Sequence, residues 1–254
     1  MEYPRFHTTI PVFTHDADCY GNIKTRRLSQ LVSEVATMHT KVLHVDRDTM
    51  LKDGITWMLH SVYMKIEKMP RSGDVMEIDT YPCGIERLFA LRCFDIKDKE
   101  GDCLVRMSSR WMQIDVERRR PIRPTSVIVA LNEGLSLPEN MTTGCIDAKN
   151  FPADVNEVRR FVATFDNIDF NGHVTQSSYM KWMTDSLMFG FYKEHVLCEA
   201  EVIYEHEIMP EADVVAWIKV VEDGDEVVAY HKLTSADGTI EHCLGRTVWK
   251  KHTI

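Results

Sequence analysis

The sequence has no hydrophobic run long enough to cross a membrane. No stretch approaches the roughly 20 apolar residues that a membrane-spanning helix needs. The opening residues MEYPRFHTTIPVF show neither a basic segment followed by an apolar core nor the Arg- and Ser-rich composition of a transit peptide. These absences predict a cytoplasmic protein that does not insert into a membrane.

Several motifs of well-known chemistry are also missing. There is no Gly-x-Ser-x-Gly elbow, which excludes the serine of an α/β-hydrolase, and no glycine-rich phosphate loop. No His-Glu-x-x-His helix occurs, and the segment Glu205-His206-Glu207 cannot converge on one ion if it is a strand. We therefore predict neither a metal site nor a cofactor.

The cysteines are scattered along the sequence. They are odd in number and contain no Cys-x-x-Cys pair, a pattern that suits a reducing compartment better than a disulfide scaffold. The seven are Cys19, Cys83, Cys93, Cys103, Cys145, Cys198 and Cys243.

Basic residues are fewer than acidic ones. The resulting formal net charge of −9 argues against non-specific binding of nucleic acid.

What the sequence does contain is one order of elements that occurs twice in 254 residues. A strand-like run over residues 6–13 is followed by a helical pattern that begins near Thr25, a plausible N-cap. Four strand-like runs come next. They span residues 62–66, 75–81, 87–96 and 103–115.

The second half repeats landmarks of the first. Residues 18–25 align with residues 169–176, matching an Asp, a Gly and a β-branched residue in register. Met69-Pro70 likewise has a counterpart in Met209-Pro210. Self-similarity of this kind indicates an internal duplication.

The repeat sets the expected fold and domain boundaries. One helix lying across a curved antiparallel sheet buries the apolar surfaces of both. We predict an α+β protein of two tandem hotdog domains, each a curved antiparallel sheet wrapped around a long helix. The N-terminal domain spans residues 1–125, a Pro- and Gly-rich linker with a short helix spans 126–155, and the C-terminal domain spans 156–254.

The second copy carries the candidate functional residues. Asp169, Asn171 and His173 stand at every second position, and in an extended segment alternate side chains project to one side. The next apolar residues recur every four positions, which predicts one helix running through Phe191. The first turn of that helix offers backbone N–H groups that can stabilise an oxyanion.

The first copy lacks these groups. Tyr20 and Asn22 stand where the second copy has Asn171 and His173, so one active and one structural half are expected. A further acid comes from the strand-like run before Met209, in which the sequence alone does not choose between Glu205 and Glu207. Glu67 stands at the corresponding place of the first copy, which leaves a structural reason for Glu207 open.

The pattern Asp169-x-Asn171-x-His173-Val174, followed by Tyr204-x-x-Glu207, resembles the acyl-(acyl carrier protein) thioesterases of plants and bacteria. The resemblance covers nearly the whole chain, and the lack of a plastid-type leader suits a bacterial member. It implies hydrolysis of the thioester of fatty acyl-acyl carrier protein to free fatty acid. It also implies a catalytic set of Asp169, Asn171, His173 and Glu207.

Two positions depart from the pattern of the plant members. Thr175-Gln176 stands where those proteins usually have two asparagines, and Ile208 stands where they carry a cysteine after the glutamate. A cysteine nucleophile at position 208 is therefore excluded, and we expect direct attack by water activated by a general base. Whether His173 or Glu207 is that base stays open at this point.

The expected partner is acyl carrier protein bearing a fatty acyl chain, and a homodimer is left open. The first half is expected to shape the acyl pocket. Because a fold alone does not fix chemistry, a coenzyme A thioesterase or an acyl dehydratase of the same fold is an alternative. A non-catalytic acyl-binding module is the alternative from a different class.

Overall fold

The computed structural model describes residues 5–251. The first four residues of the N-terminal segment discussed above therefore lie outside the described range. The chain forms two compact units. The N-terminal unit comprises Met1–Lys24 and Gln30–Gly144, and the C-terminal unit comprises Thr25–Ser29 and Cys145–Ile254.

In the residues described, the N-terminal unit is an antiparallel sheet with three α-helices. Its strands are arranged in the order β1-β3-β4-β5-β2, and a short strand, β6, pairs with β5. The first residues of helix α1 belong to the C-terminal unit and the rest to this one. The elements are β1 Phe6–Pro11, α1 Thr25–Val42, α2 Arg47–Leu51, β2 Ile55–Ile66, β3 Val75–Glu86, β4 Phe89–Lys97, β5 Cys103–Asp115, β6 Arg120–Ile122 and α3 Ser126–Leu131.

The C-terminal unit repeats this topology. Its strands are arranged in the order β7-β9-β10-β11-β8, and each pairing is antiparallel. Strand for strand, this is the order found in the N-terminal unit, so the predicted pair of tandem hotdog domains is confirmed. The elements are β7 Asn156–Val162, α4 Gln176–Asp185, α5 Phe191–Glu194, β8 His195–Tyr204, β9 Asp213–Asp223, β10 Glu226–Ser235 and β11 Glu241–Lys251.

Helix α4 packs on the sheet of the C-terminal unit through large apolar side chains. Trp182 is stacked on Phe161 of β7 with ring centroids 5.5 Å apart. Met183 is fully buried, and a Cβ atom at Gly245 of β11 would overlap its side chain. The glycine therefore makes the close approach of helix and sheet possible.

Helix α1 is joined to the sheet of the N-terminal unit by its last turn. His39 stacks on Phe6 of β1 with ring centroids 5.7 Å apart. The Nδ1 atom of His39 accepts a hydrogen bond of 2.9 Å from the buried guanidinium of Arg92, since a guanidinium only donates. The apolar side chains that predicted this helix are buried from Leu28 to Val35, whereas Val42 is exposed.

The second long helix is shorter than its periodicity predicts. Helix α4 ends at Asp185, and Phe191 instead begins the separate helix α5. The hydroxyls of Thr184 and Ser186 donate to backbone carbonyls of the preceding turn. Such bonds compete with the helical pattern and help to end it, although the apolar spacing continues.

Two strands are longer than predicted. Strand β2 begins at Ile55, before the predicted start at Val62, because an irregularity between Leu59 and Ser61 interrupts the alternation of apolar and polar residues. Strand β3 likewise continues to Glu86 past another irregularity. The short helix predicted after residue 125 is present as α3.

Within residues 5–251 no helix is both long and apolar enough to cross a membrane.

Candidate functional site

The segment that carries the candidate functional residues is a tight turn. Ile168 and Val174 form an isolated antiparallel bridge that closes it. The N–H of Asp169 donates to the carbonyl of His173 at 2.8 Å, and Gly172 has a φ of +82°. The prediction of an extended segment over residues 169–173 is therefore wrong, because Gly172 adopts a left-handed conformation that reverses the chain.

The carboxylate of Asp169 holds Asn171 by two hydrogen bonds. Its Oδ1 accepts from the backbone N–H of Asn171 at 2.8 Å, and its Oδ2 accepts from the side-chain Nδ2 at 3.3 Å. The first bond is the one that defines an Asx-turn. Asp169 thus fixes both the backbone and the amide of the neighbouring residue.

His173 and Glu207 lie side by side in the structure. The Nε2 atom of His173 is 3.4 Å from the Oε2 atom of Glu207. The two side chains are 29% and 48% exposed, so both can be reached by solvent. An imidazole next to a carboxylate can orient a water molecule and take its proton, which is the arrangement of a general acid–base site.

The segment that carries Glu207 is fixed by a tyrosine of helix α4. The hydroxyl of Tyr179 accepts a hydrogen bond of 3.1 Å from the N–H of Ile208 and donates to the carbonyl of His206 at 3.4 Å. These are the two residues that flank Glu207. Burial raises the pKa of Tyr179, which keeps this hydroxyl protonated and able to donate.

A backbone contact directly joins the segment that carries His173 and the segment that carries Glu207. The N–H of Val174 donates to the carbonyl of Ile208 at 2.9 Å, so the residues that follow His173 and Glu207 are hydrogen-bonded to each other.

Sequence reasoning missed the part played by Tyr179, which it counted among the apolar residues of the helix. The available signal was a hydroxyl on an otherwise apolar face, because a buried tyrosine O–H usually finds a partner.

The N-terminal unit contains the same turn without the same chemistry. The N–H of Asp18 donates to the carbonyl of Asn22 at 2.8 Å, as Asp169 does to His173. Gly21 has a φ of +84°, the counterpart of Gly172. Here Arg71 donates to Asn22 Oδ1 at 3.3 Å, so a guanidinium contacts an amide at the place where the other unit has its imidazole and carboxylate.

Glu67, the N-terminal counterpart of Glu207 in the sequence, has a different environment. Its Oε1 lies 2.8 Å from Arg106 Nη1 and 3.8 Å from Lys65 Nζ. The carboxylate of Glu67 thus contacts two cationic side chains, whereas that of Glu207 contacts an imidazole.

No metal cluster accompanies the His173–Glu207 pair in the part of the chain described. Among residues 5–251 no group of three or more His, Cys, Asp or Glu side chains is arranged to hold a metal ion. A cleft of about 540 Å³ in the C-terminal unit is lined mainly by apolar residues, including Leu187, Phe191 and Ile218. None of the residues lining this cleft is one of the four candidate residues.

Fold and site together define a double hotdog protein with an acid–base pair in its C-terminal unit. The chain belongs to the acyl-ACP thioesterase family: residues 4–131 match the model of the acyl-ACP thioesterase N-terminal domain, and residues 152–251 match that of the C-terminal domain.

Plant proteins are among the similar sequences. The chain is 26% identical over 228 residues to the chloroplastic oleoyl-acyl carrier protein thioesterase 2 of Arabidopsis thaliana, an alignment that covers 84% of this chain and 61% of that protein. The chain thus spans about three fifths of the length of the plant relatives it matches.

Solved structures share the fold over the full chain. A Lactobacillus plantarum protein superposes with a TM-score of 0.89 at 21% identity, covering 100% of this chain and 98% of that one. An acyl-ACP thioesterase from Bacteroides thetaiotaomicron gives a TM-score of 0.82 at 18% identity, covering 97% and 98% of the two chains.

Proposed function

We propose that the protein hydrolyses the thioester of fatty acyl-acyl carrier protein, releasing the free fatty acid and the carrier. The observation that carries the proposal is the His173–Glu207 pair, with Nε2 and Oε2 3.4 Å apart. His173 lies on the turn that precedes helix α4, and Glu207 lies in the segment that follows strand β8. Membership of the acyl-ACP thioesterase family supports the choice of substrate class. No cofactor enters the proposed reaction.

In the proposed reaction, water attacks the thioester carbonyl carbon. His173 and Glu207 together orient this water and take its proton, leaving a tetrahedral oxyanion on the former carbonyl oxygen. The C–S bond then breaks, and the departing sulfur of the carrier receives the proton. Asn171, held by Asp169, positions the water or the thioester.

The oxyanion has donors close by in the sequence. Helix α4 begins at Gln176, three residues after His173, and the N–H groups of its first turn carry partial positive charge. Removing one such donor costs about 3 to 4 kcal/mol of transition-state stabilisation in other acyl-transfer enzymes. We assign the oxyanion to this turn.

The proposal gives the two domains different tasks. Residues 156–254 would carry the reaction, and residues 1–125 would form the acyl pocket, with 126–155 as the linker. The different contacts of the two turns support this division: Arg71 contacts Asn22 in one, and Glu207 contacts His173 in the other. Acyl carrier protein is the partner in this proposal, and we place the reaction in the cytoplasm.

A thioester panel tests the proposed function. Release of free thiol is measured with the same fatty acyl chain on acyl carrier protein and on coenzyme A. We expect a higher kcat/KM with the carrier protein. A preference for coenzyme A would favour the alternative thioesterase, and binding of acyl-acyl carrier protein without thiol release would favour an acyl-binding module.

A conservative variant tests the site within the same assay. Glu207→Gln keeps the shape of the side chain but removes the carboxylate that pairs with His173, so we expect kcat to fall at least about a hundredfold. The circular dichroism spectrum and the unfolding midpoint should stay close to wild type. A folded Glu207→Gln protein with near-normal turnover would remove Glu207 from the mechanism.

A further inference from the structure

Two phenylalanines are strongly exposed on the segment that carries the candidate site. The side chain of Phe165 is 96% exposed and that of Phe170 is 79% exposed. Single exposed apolar residues are common on protein surfaces. Two such rings within six positions, on the segment that leads to His173, are a concentration of apolar surface beside a site where substrate must arrive.

The fold does not require these rings. The matching positions of the N-terminal unit are Thr14 and Cys19, both exposed, and the turn there is closed by the same backbone hydrogen bonds. The turn therefore forms without a phenylalanine at either position. At these two matched positions, aromatic rings occur only in the copy that has the imidazole and the carboxylate.

A positive charge lies beside the residue that follows Phe165. Arg26, which belongs to the C-terminal unit, places Nη2 3.3 Å from Oδ2 of Asp166, the residue after Phe165. The Asp166 side chain is 85% exposed, and an ion pair in solvent contributes little, so an incoming anion can replace this carboxylate. Guanidinium groups bind phosphate oxygens well.

We propose that Phe165, Phe170 and Arg26, here called the aromatic rim, form the docking surface for the acyl carrier protein. This inference rests on the proposed function. The two rings would pack against apolar side chains of the carrier, and Arg26 would face the phosphate of the arm that bears the thioester. Phenylalanine and arginine are among the residue types enriched in protein–protein interfaces.

The proposal makes a distinction between substrates. Coenzyme A and short thiols have no protein surface for the rings to contact, whereas acyl carrier protein does. Loss of the rings should therefore weaken the reaction of the carrier-bound thioester and leave that of a small thioester unchanged.

The test compares the double variant Phe165→Thr/Phe170→Ser with wild type and with Phe189→Ser. Phe189 is 66% exposed but follows the far end of helix α4, so it controls for removal of an exposed ring. Each protein is assayed for kcat/KM with one acyl chain on acyl carrier protein and on N-acetylcysteamine. Binding of acyl-acyl carrier protein is measured separately by titration calorimetry.

We expect the double variant to lose at least about tenfold in kcat/KM and in binding affinity for the carrier-bound substrate, mainly through KM. On the small thioester, the activity of the double variant should match that of wild type. The Phe189→Ser protein should match wild type on both substrates. Unchanged binding of the carrier protein, or an equal loss on both substrates, would overturn the docking proposal. A third outcome separates the two proposals. If wild type binds acyl-acyl carrier protein without turnover and the double variant no longer binds it, the docking proposal is supported and the proposed hydrolysis is refuted.

Discussion

Tyr179 of helix α4 holds the segment that carries Glu207. Its single hydroxyl contacts the backbone on both sides of Glu207, at His206 and at Ile208. Ile208 is fully buried, so its N–H has no access to solvent if the tyrosine oxygen is removed. Tyr179 is a positioning residue in this account, acting through Glu207.

The variant Tyr179→Phe tests this role. It removes the two hydrogen bonds but keeps the ring, and a small displacement of a reacting group is enough to lower a rate strongly. We expect kcat for the acyl-carrier-protein substrate to fall about tenfold or more with KM nearly unchanged. Unfolding in urea should show a loss of about 1 to 3 kcal/mol for the unpaired N–H.

Tyr230→Phe is the matched control for that variant. Tyr230 lies on β10 of the same unit, where its ring meets that of Phe151 edge to face with centroids 5.7 Å apart. It should keep the wild-type kcat. An unchanged kcat in Tyr179→Phe, or an equal fall in both variants, would contradict the positioning role.

The candidate residues were predictable from sequence to different degrees. Asp169, Asn171 and His173 form a local motif, and local motifs can be read from spacing. The choice of Glu207 over Glu205 came only from family resemblance, because Glu207 lies about 30 residues further along the chain. The prediction that both acids lie on a strand is wrong, since strand β8 ends at Tyr204 and both follow it. Tyr179 was missed because hydrogen bonds between distant segments leave no periodic signal.

Among the elements, helix α1 is attached to strand β4 by a buried polar contact. His39 and Thr80 both accept hydrogen bonds from Arg92, whose charge faces the last turn of the helix, where the backbone carries partial negative charge. Burial and the neighbouring guanidinium lower the pKa of His39 to about 4. The histidine therefore stays neutral in the folded protein at neutral pH.

This contact predicts a loss of stability in mild acid. The unfolded chain binds a proton at His39 near pH 6.5, whereas the folded protein does so only near pH 4. The contribution is thus fully present above pH 6.5 and is lost as the pH falls towards 4. Between pH 7.5 and 5.5 we expect His39 to account for a loss of about 1 kcal/mol in the free energy of unfolding.

Urea unfolding of wild type and His39→Gln at the two pH values measures this contribution. The variant should lose about 1 kcal/mol less than wild type over the interval. His231, whose pKa burial lowers to about 3, is present in both proteins and gives the same background trend. An identical pH dependence in wild type and variant would show that His39 is not the group responsible.

The elements themselves were predicted better than their limits. Strand β5 was located with its observed bounds because its residues alternate without interruption. The limits of β2, β3 and α4 were wrong where an irregular register or a side-chain hydroxyl altered the backbone but not the hydrophobic pattern. Periodicity reports which face of an element is buried, and it carries little information on where the backbone departs from regular geometry.

On the scale of the whole molecule, one topology occurs twice and the chemistry differs between the copies. Both units contain the Asp-x-x-Gly turn and the same strand order, so the repeat was predictable from shared landmarks. The contacts made at the turn were not predictable, because Arg71 and Glu207 come from later segments of their units. We therefore propose that hydrolysis takes place at the C-terminal turn alone.

The most direct test compares matched substitutions at the two turns, His173→Ala and Asn22→Ala, in the hydrolysis of acyl-acyl carrier protein. The account predicts that His173→Ala lowers kcat at least about a hundredfold and that Asn22→Ala stays within about threefold of wild type, since only the former removes an acid–base group. Folded His173→Ala protein with near-normal turnover, or an equally severe loss in Asn22→Ala, would contradict it.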